Sequence, residues 1–409
     1  MLFEQNNLII LFLKQFWIFW LFLLLFIFNY INLIGIIILY LLFCLYHKIF
    51  CKTHLFYNKN NQKMNSILNK CPTITSCNYK PPFFFPINPL QLLNYYRSKV
   101  TPKVKVTVNR EYVGENGVVL DWVNYEGIDT KNKPVFVILP GLTGSVKDPY
   151  VINVADKVIN ELGFNVAIYQ MRLLNENVKI PEKRHLFLIE DVDEAFDYIK
   201  KKFGEEIKIY ACGFSYGANQ IVRYLGEYNY INKKIEAAVS ISNPFEFIIS
   251  ARLGLNKLYD RMLLKFLQDV FIKTRSSLEK QKHLKMNFDL IQNTINLNEF
   301  DRHYTAYIFN FNSPDEYYRN VSCVKFIKNI NVPLLCINAL DDQITNKLAI
   351  PYDDIEMNEN ICLLTPDYGT HSCFLEDDNF FGVKQWSVKP IVEFINSVNF
   401  LNEIKNKVY

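Results

Sequence analysis

A chain of 409 residues, half of them hydrophobic, is long enough for one large α/β domain with an appendage. Its formal charge of +4 is small and its 45 basic residues are scattered, which argues against a nucleic-acid-binding stripe. Nine cysteines show no C-x-x-C pattern and several sit inside apolar runs (Cys212, Cys336, Cys362), so they read as buried thiols and exclude a disulfide framework or a zinc site.

From Leu8 to Tyr46 the chain is almost wholly apolar, interrupted by Lys14, Gln15 and the cluster Asn29-Tyr30-Ile31-Asn32. This run is about twice the roughly 20 residues that one membrane span needs. No small-x-small cleavage site follows it, so residues 1–50 are expected to form an uncleaved anchor, either one span with an interfacial extension or a tight hairpin. His47, Lys48, Lys52, Lys59, Lys63 and Lys70 follow the run while only Glu4 precedes it, which by the positive-inside rule is expected to put the downstream domain in the cytosol, with the lumen as the alternative. The protein is thus expected to be integral to a membrane; the organelle stays open, with the endoplasmic reticulum as one candidate. Residues 51–80, rich in Asn and Lys from Asn58 onward, read as a polar linker. Pro81-Pro82-Phe83-Phe84-Phe85-Pro86 opens a domain over 81–409, and linker packing is a better account of it than a membrane-dipping patch.

Within that domain, apolar runs at 104–108, 118–123, 135–139, 166–170, 207–212, 237–241, 334–338 and 361–364 read as strands. Amphipathic stretches at 187–203 and 390–404 read as helices between or after them. The pattern predicts an α/β fold with a doubly wound, mainly parallel sheet. About ninety residues, 244–331, separate the sixth and seventh strands. That exceeds an ordinary crossover, and helical spacing around 253–272 makes it a lid over a site.

Three of these strands end in residues with chemistry. The run at 134–139 opens into Pro140-Gly141-Leu142-Thr143-Gly144-Ser145, whose small residues let backbone N–H groups point at a ligand. No G-K-[ST] is present, so a phosphate loop is poorly supported. The run at 207–212 leads into Gly213-Phe214-Ser215-Tyr216-Gly217 and a helical stretch at 218–227, which is the strand, sharp turn and helix of a nucleophile elbow. The run at 332–338 reaches Asp341-Asp342, and His371 alone of the six histidines lies beyond that turn. Separately, each is as easily a turn, a helix cap or a surface histidine. Together they stand in the order Ser, acid, His that a hydrolytic triad on this fold requires. The backbone N–H groups of Leu142 and Tyr216 are the expected oxyanion donors.

From about Pro81 to the C-terminus the chain resembles the membrane-anchored α/β-hydrolase-domain proteins one and three, in the AB hydrolase 4 family with plant embryogenesis-associated and bacterial carboxylesterases. The residues that carry the likeness are Leu139-Pro-Gly-Leu-Thr-Gly-Ser145, Gly213-Phe-Ser-Tyr-Gly217, Ser242-Asn243-Pro244, Glu299-Phe-Asp-Arg-His-Tyr-Thr305, Ser313-Pro-Asp-Glu-Tyr-Tyr-Arg319, Ile337-Asn-Ala-Leu-Asp-Asp342 and His371-Ser-Cys-Phe-Leu-Glu376. The resemblance implies hydrolysis of lipid or other carboxylic esters by Ser215, His371 and Asp342, without metal or organic cofactor, and the apolar anchor with the long lid adds the expectation that the ester is a membrane glycerolipid or phospholipid. Asp342 matches the family's acid in an Asp-Pro-x-x-Pro pattern, with Asp341 as the fallback. Both prolines of that pattern are missing, Thr370 replaces a glycine before the histidine, and Gln170-Met171-Arg172-Leu173 replaces an Asn-x-Arg-Gly loop. These loops line the pocket, so the resemblance by itself does not fix the substrate. Acyl transfer to another acceptor would use the same three side chains, whereas a silent binding protein would need none of them.

Overall fold

The apolar runs assemble into one nine-stranded sheet in the computed structural model, which describes residues 33–408 except 89, 92–94, 96–105, 115–116, 126–131, 177, 181–186, 255–256 and 380–381. Most of the expected anchor, and the start of the strand expected at 104–108, lie outside the described residues. The strands are β1 (Thr53–Tyr57), β2 (Val106–Val113), β3 (Val118–Tyr125), β4 (Val135–Leu139), β5 (Asn165–Gln170), β6 (Ile209–Phe214), β7 (Ile235–Ile241), β8 (Leu334–Ile337) and β9 (Ile361–Pro366). Their order across the sheet is β1-β9-β8-β7-β6-β4-β5-β3-β2. The pairs from β5 through β4, β6, β7 and β8 to β9 are parallel. Antiparallel strands close both edges, β3 and β2 on one side and β1 on the other.

Central strands are apolar along their whole length because helices cover both faces. In β4, Val135, Val137 and Leu139 enter one core layer while Phe136 and Ile138 enter the other. The first layer holds the Phe187–Phe203 helix, whose Ile189, Val192, Ala195, Phe196 and Ile199 recur every three or four residues as a buried stripe. Glu190 in its first turn and Lys200 to Lys202 in its last suit the helix dipole. The second layer holds the Pro149–Lys157 and Val388–Val408 helices.

The segment expected to be a linker is part of the domain. β1 pairs with β9, and the Gln62–Leu68 helix buries Met64, Ile67 and Leu68 in the layer that also holds Ile391 and Phe394. Asn61 caps that helix by accepting from the Met64 N–H at 2.7 Å, and Thr73 bonds Glu393 through both its N–H (2.9 Å) and its hydroxyl (2.6 Å). The Asn- and Lys-rich composition reflects outward-facing positions, and the apolar residues between them do the packing. The Pro81–Phe85 stretch packs likewise: the Phe84 carbonyl accepts from the Tyr40 hydroxyl, and the Phe83 N–H donates to Asp377.

Leu33–Phe50 is an 18-residue helix, about 27 Å long at 1.5 Å per residue. It docks on the domain through buried Cys44, the Tyr40 contact and a Lys48–Asp377 ion pair. Ile38, Leu42, Leu45, Ile49 and Phe50 remain exposed. Among the described residues no helix is long and apolar enough to cross a membrane.

Between β7 and β8 lies the expected lid, built around the 23-residue Lys257–Glu279 helix and the Pro314–Val321 helix.

Candidate active site

Ser215 sits between the end of β6 and the Tyr216–Glu227 helix with φ 52° and ψ −116°, a strained backbone for a residue with a Cβ. Its N–H is held by the Ile241 carbonyl at 2.8 Å. The flanking glycines are there for space. A Cβ on Gly213 would stand 2.3 Å from the Gly217 carbonyl oxygen, and one on Gly217 would stand 2.1 Å from that of Leu139. The elbow therefore forms only if helix and strands approach closer than any side chain allows.

The structure brings Ser215, His371 and Asp342 into one hydrogen-bonded series. His371 Nε2 lies 2.7 Å from Ser215 Oγ, and His371 Nδ1 lies 2.8 Å from Asp342 Oδ2. Because the carboxylate can only accept, the imidazole carries its hydrogen on Nδ1, which leaves Nε2 to accept from the serine hydroxyl. Asp342 is 6% exposed and is held by three donors. Oδ1 accepts from the N–H groups of Ile344 (2.8 Å) and Thr345 (3.0 Å), and Oδ2 accepts from the Thr345 hydroxyl at 2.6 Å. Where the resemblance leads one to expect the second proline, Asn346 caps the following turn by accepting from the Leu348 N–H at 2.9 Å. The carboxylate is thus oriented without either proline.

His371 lies in a turn in which Thr370, Ser372 and Phe374 all have positive φ. Contacts from two other elements hold this turn. Ser242, after β7, accepts from the Ser372 N–H at 2.9 Å, and Asp341 Oδ1 accepts from the Thr370 N–H at 2.9 Å. Asp341 therefore faces the backbone of the histidine turn, while Asp342 faces the ring. Burial, with the neighbouring Asp342 charge adding to it, pushes the Asp341 carboxyl up to about 7 against the Thr370 and Gly369 N–H groups.

The expected oxyanion donors flank the serine. Tyr216 opens its helix, so its N–H belongs to the first turn, which has no intrahelical acceptor. Leu142 follows Gly141, whose N–H donates to the Tyr150 hydroxyl at 3.0 Å and whose carbonyl accepts from Gly144 at 2.9 Å. The Tyr150 N–H in turn donates to the Tyr95 hydroxyl at 3.0 Å. Sequence reasoning missed Tyr150, Tyr95 and Thr345 altogether. Ser242 was visible only as part of a family-like segment, without a role.

Two cavities meet at Ser215 and Leu142. The wider, about 720 Å³, runs under the lid helix past Met262 and Phe266 and carries Lys147 and Lys273 on its wall. Two carboxylates on the same wall, Asp148 and Asp269, are engaged by Ser145 and Lys265. The narrower, about 110 Å³, is lined by Leu263, Leu267, Leu297 and Phe247, with Asp301 and Tyr318 at one side. Asp301 accepts from the Thr305 hydroxyl at 2.6 Å and from the Tyr318 hydroxyl, joining two of the lid segments that carry the family resemblance. Burial raises this carboxyl to about 6, against those two hydroxyl donors.

Comparison with known proteins agrees with this architecture. A family model described as the alpha/beta hydrolase fold matches residues 134–377. Embryogenesis-associated protein EMB8 of Picea glauca is 33% identical over 294 residues, covering 68% of this chain and 63% of its own length. Phospholipase ABHD3 of Bos taurus is 27% identical, covering 75% of each chain. A monoacylglycerol lipase of Saccharomyces cerevisiae is 28% identical, covering 64% of this chain and 59% of its own.

Proposed function

This chain belongs to the alpha/beta hydrolase fold family, and on that premise we propose that it is a serine hydrolase of carboxylic esters with Ser215 as nucleophile. The observation that carries the reading is the unbroken series from Ser215 Oγ through both nitrogens of His371 to Asp342, set at the junction of two cavities. As Ser215 attacks the ester carbonyl, its proton passes to His371 Nε2. Asp342, unable to donate, keeps the imidazole in the tautomer that receives it and stabilises the imidazolium that results. The N–H groups of Leu142 and Tyr216 meet the charge that develops on the carbonyl oxygen. His371 then protonates the leaving alcohol, and a water activated by the same nitrogen releases the acyl group.

We propose membrane glycerolipids or phospholipids as the ester class. The narrow apolar cavity fits an acyl chain, and the wide one with Lys147 and Lys273 fits the more polar alcohol portion, phosphate included. The names of two relatives, a phospholipase and a monoacylglycerol lipase, point the same way. Attachment to a membrane belongs to the same proposal. It is supported by the apolar run at 8–46 and by the exposed apolar face of the Leu33–Phe50 helix.

The test is labelling with a fluorophosphonate, which reports an activated serine. The full-length protein should label at one site, and Ser215→Ala should abolish both labelling and ester turnover while keeping its thermal unfolding transition. Undiminished labelling of the variant would overturn the assignment.

A further inference from the structure

The acid turn contains a second carboxyl that the proposed mechanism leaves unused. We infer that Asp341 is a positioning residue of this same site, whose carboxyl, protonated on its buried outer oxygen, holds the turn delivering His371. The inference rests on the serine-hydrolase reading above.

Three observations lead to it. Asp341 Oδ1 accepts the N–H of Thr370, the residue immediately before His371. Thr370 has φ 54°, a conformation costly for a branched residue unless its surroundings enforce it. An acceptor fixed on its N–H is such an enforcement. Second, Asp341 Oδ2 is buried without a partner. Third, the Asp341 main chain is itself anchored, because its carbonyl accepts from Asn88 Nδ2 at 3.0 Å. Asn88 Oδ1 in turn accepts from the hydroxyl of Tyr259 on the lid helix. The turn bearing both acids is therefore tied to the histidine turn on one side and, through Asn88, to the lid on the other.

The unpartnered oxygen bears on protonation. An ionised carboxylate with one oxygen buried and unbonded, next to a second carboxylate, is costly, and a proton on that oxygen removes the cost. The other titratable groups facing Asp341 are Asp342 on its own turn, Tyr79 and Cys51 from the N-terminal segment, and Tyr368 and Cys373 from either side of His371. Burial pushes the two thiols and Tyr368 up to about 12 and raises Tyr79 well above the ordinary tyrosine value. These four stay neutral, so the charge beside Asp341 is that of Asp342. Asp341 is neutral below its raised pKa and gives up its proton above it.

The experiment compares the purified full-length protein with Asp341→Asn, Asp341→Ala and Asp342→Asn on a small soluble ester, following kcat and KM. Asp341→Asn keeps an oxygen for the Thr370 N–H, so it should retain KM and stay within about tenfold of wild-type kcat. Asp341→Ala should lose about a further tenfold in kcat with KM unchanged, whereas Asp342→Asn should fall by about 10⁴-fold, as tautomer loss does. Equal activity of Asp341→Asn and Asp341→Ala would overturn the inference. So would a deeper loss in Asp341→Asn than in Asp342→Asn, which would make Asp341 the triad acid. Should the variants misfold, infrared titration of the wild type still decides: a carboxylic-acid stretch lost between about pH 6.5 and 8 supports the inference, and its absence ends it. Failure of the wild type to label at Ser215 would instead reject the serine-hydrolase reading, which keeps the two failures distinct.

Discussion

At the scale of single residues, the elbow shows a glycine whose sign of effect is decided by space. Gly217 lies inside a helix, where alanine would ordinarily stabilise by about 1 kcal/mol. The added Cβ would stand 2.1 Å from the Leu139 carbonyl oxygen, a main-chain atom of a central strand that cannot step aside. Overpacking of this kind costs roughly 1–3 kcal/mol, so the contact outweighs the propensity. Gly217→Ala should lower the thermal midpoint and slow fluorophosphonate labelling; a midpoint equal to or above wild type would show that β4 yields more than this packing implies. Strand-turn punctuation marks Ser215, His371 and the Asp341-Asp342 pair in the sequence, and the structure sets Ser215, His371 and Asp342 in one series; Asp342 is picked from its pair only by the family resemblance. Thr345, Ser242 and Tyr150 are not so marked. Their parts come from pairings made only in the folded chain, such as Ser242 meeting Ser372 across 130 residues of sequence. Asp341 was readable as a candidate but not as what it touches, since adjacent aspartates look alike until one faces a ring and the other a backbone N–H.

At the scale of elements, the lid was legible as an overlong connection, and its main helix was legible from spacing. What ties it down was not. Asp301 joins the π-helical turn Asp301–Thr305 to the Pro314–Val321 helix through Thr305 and Tyr318. Its carboxyl, raised from 3.8 to about 6, binds its proton more tightly in the folded protein than in the unfolded one. Between these values folding takes up a proton at this site, so its contribution to stability is greatest at low pH and is lost as pH rises through about 6. Asp301→Asn removes that dependence. Measured by denaturant unfolding at several pH values, the variant should gain on the wild type as pH climbs from about 4 to about 6, then run parallel to it. A constant difference would show that Asp301 titrates as an ordinary carboxylate. Strand β1 escaped sequence analysis for a related reason. Thr-His-Leu-Phe-Tyr is five residues wedged between an apolar helix and an Asn-rich stretch, and the partner that makes it a strand lies at the far end of the chain.

At the scale of the whole molecule, the proposed membrane attachment and the observed docking of Leu33–Phe50 can be separated. The docked face uses Tyr40, Cys44 and Lys48, and the free face uses Leu42 and Ile49. A chain lacking residues 1–32 and carrying Leu42→Glu and Ile49→Glu keeps the docking contacts. It should hydrolyse a small soluble ester within about twofold of the intact protein, since Ser215 and its partners are untouched, and lose about tenfold or more on vesicle lipid. The intact chain should stay in the pellet on carbonate extraction. Release by carbonate, or equal turnover of vesicle lipid by both forms, would leave a soluble-ester hydrolase as the better account. The pairing of β1 with β9 also constrains how the molecule is made. Thr53 faces Pro366 and Tyr57 faces Cys362, partners more than three hundred residues apart. At ribosomal rates of about 5–20 residues per second, β1 waits on the order of tens of seconds for its neighbour. During that wait Lys52 and Lys59 flank the open edge and discourage it from annealing to another chain. The seam beside the N-terminal helix is thus closed only once nearly the whole chain has left the ribosome, and β9 is the strand that runs on to His371. A polypeptide released early has the Ser215 turn but neither that strand nor its base, so truncated products of synthesis carry no competent hydrolytic site.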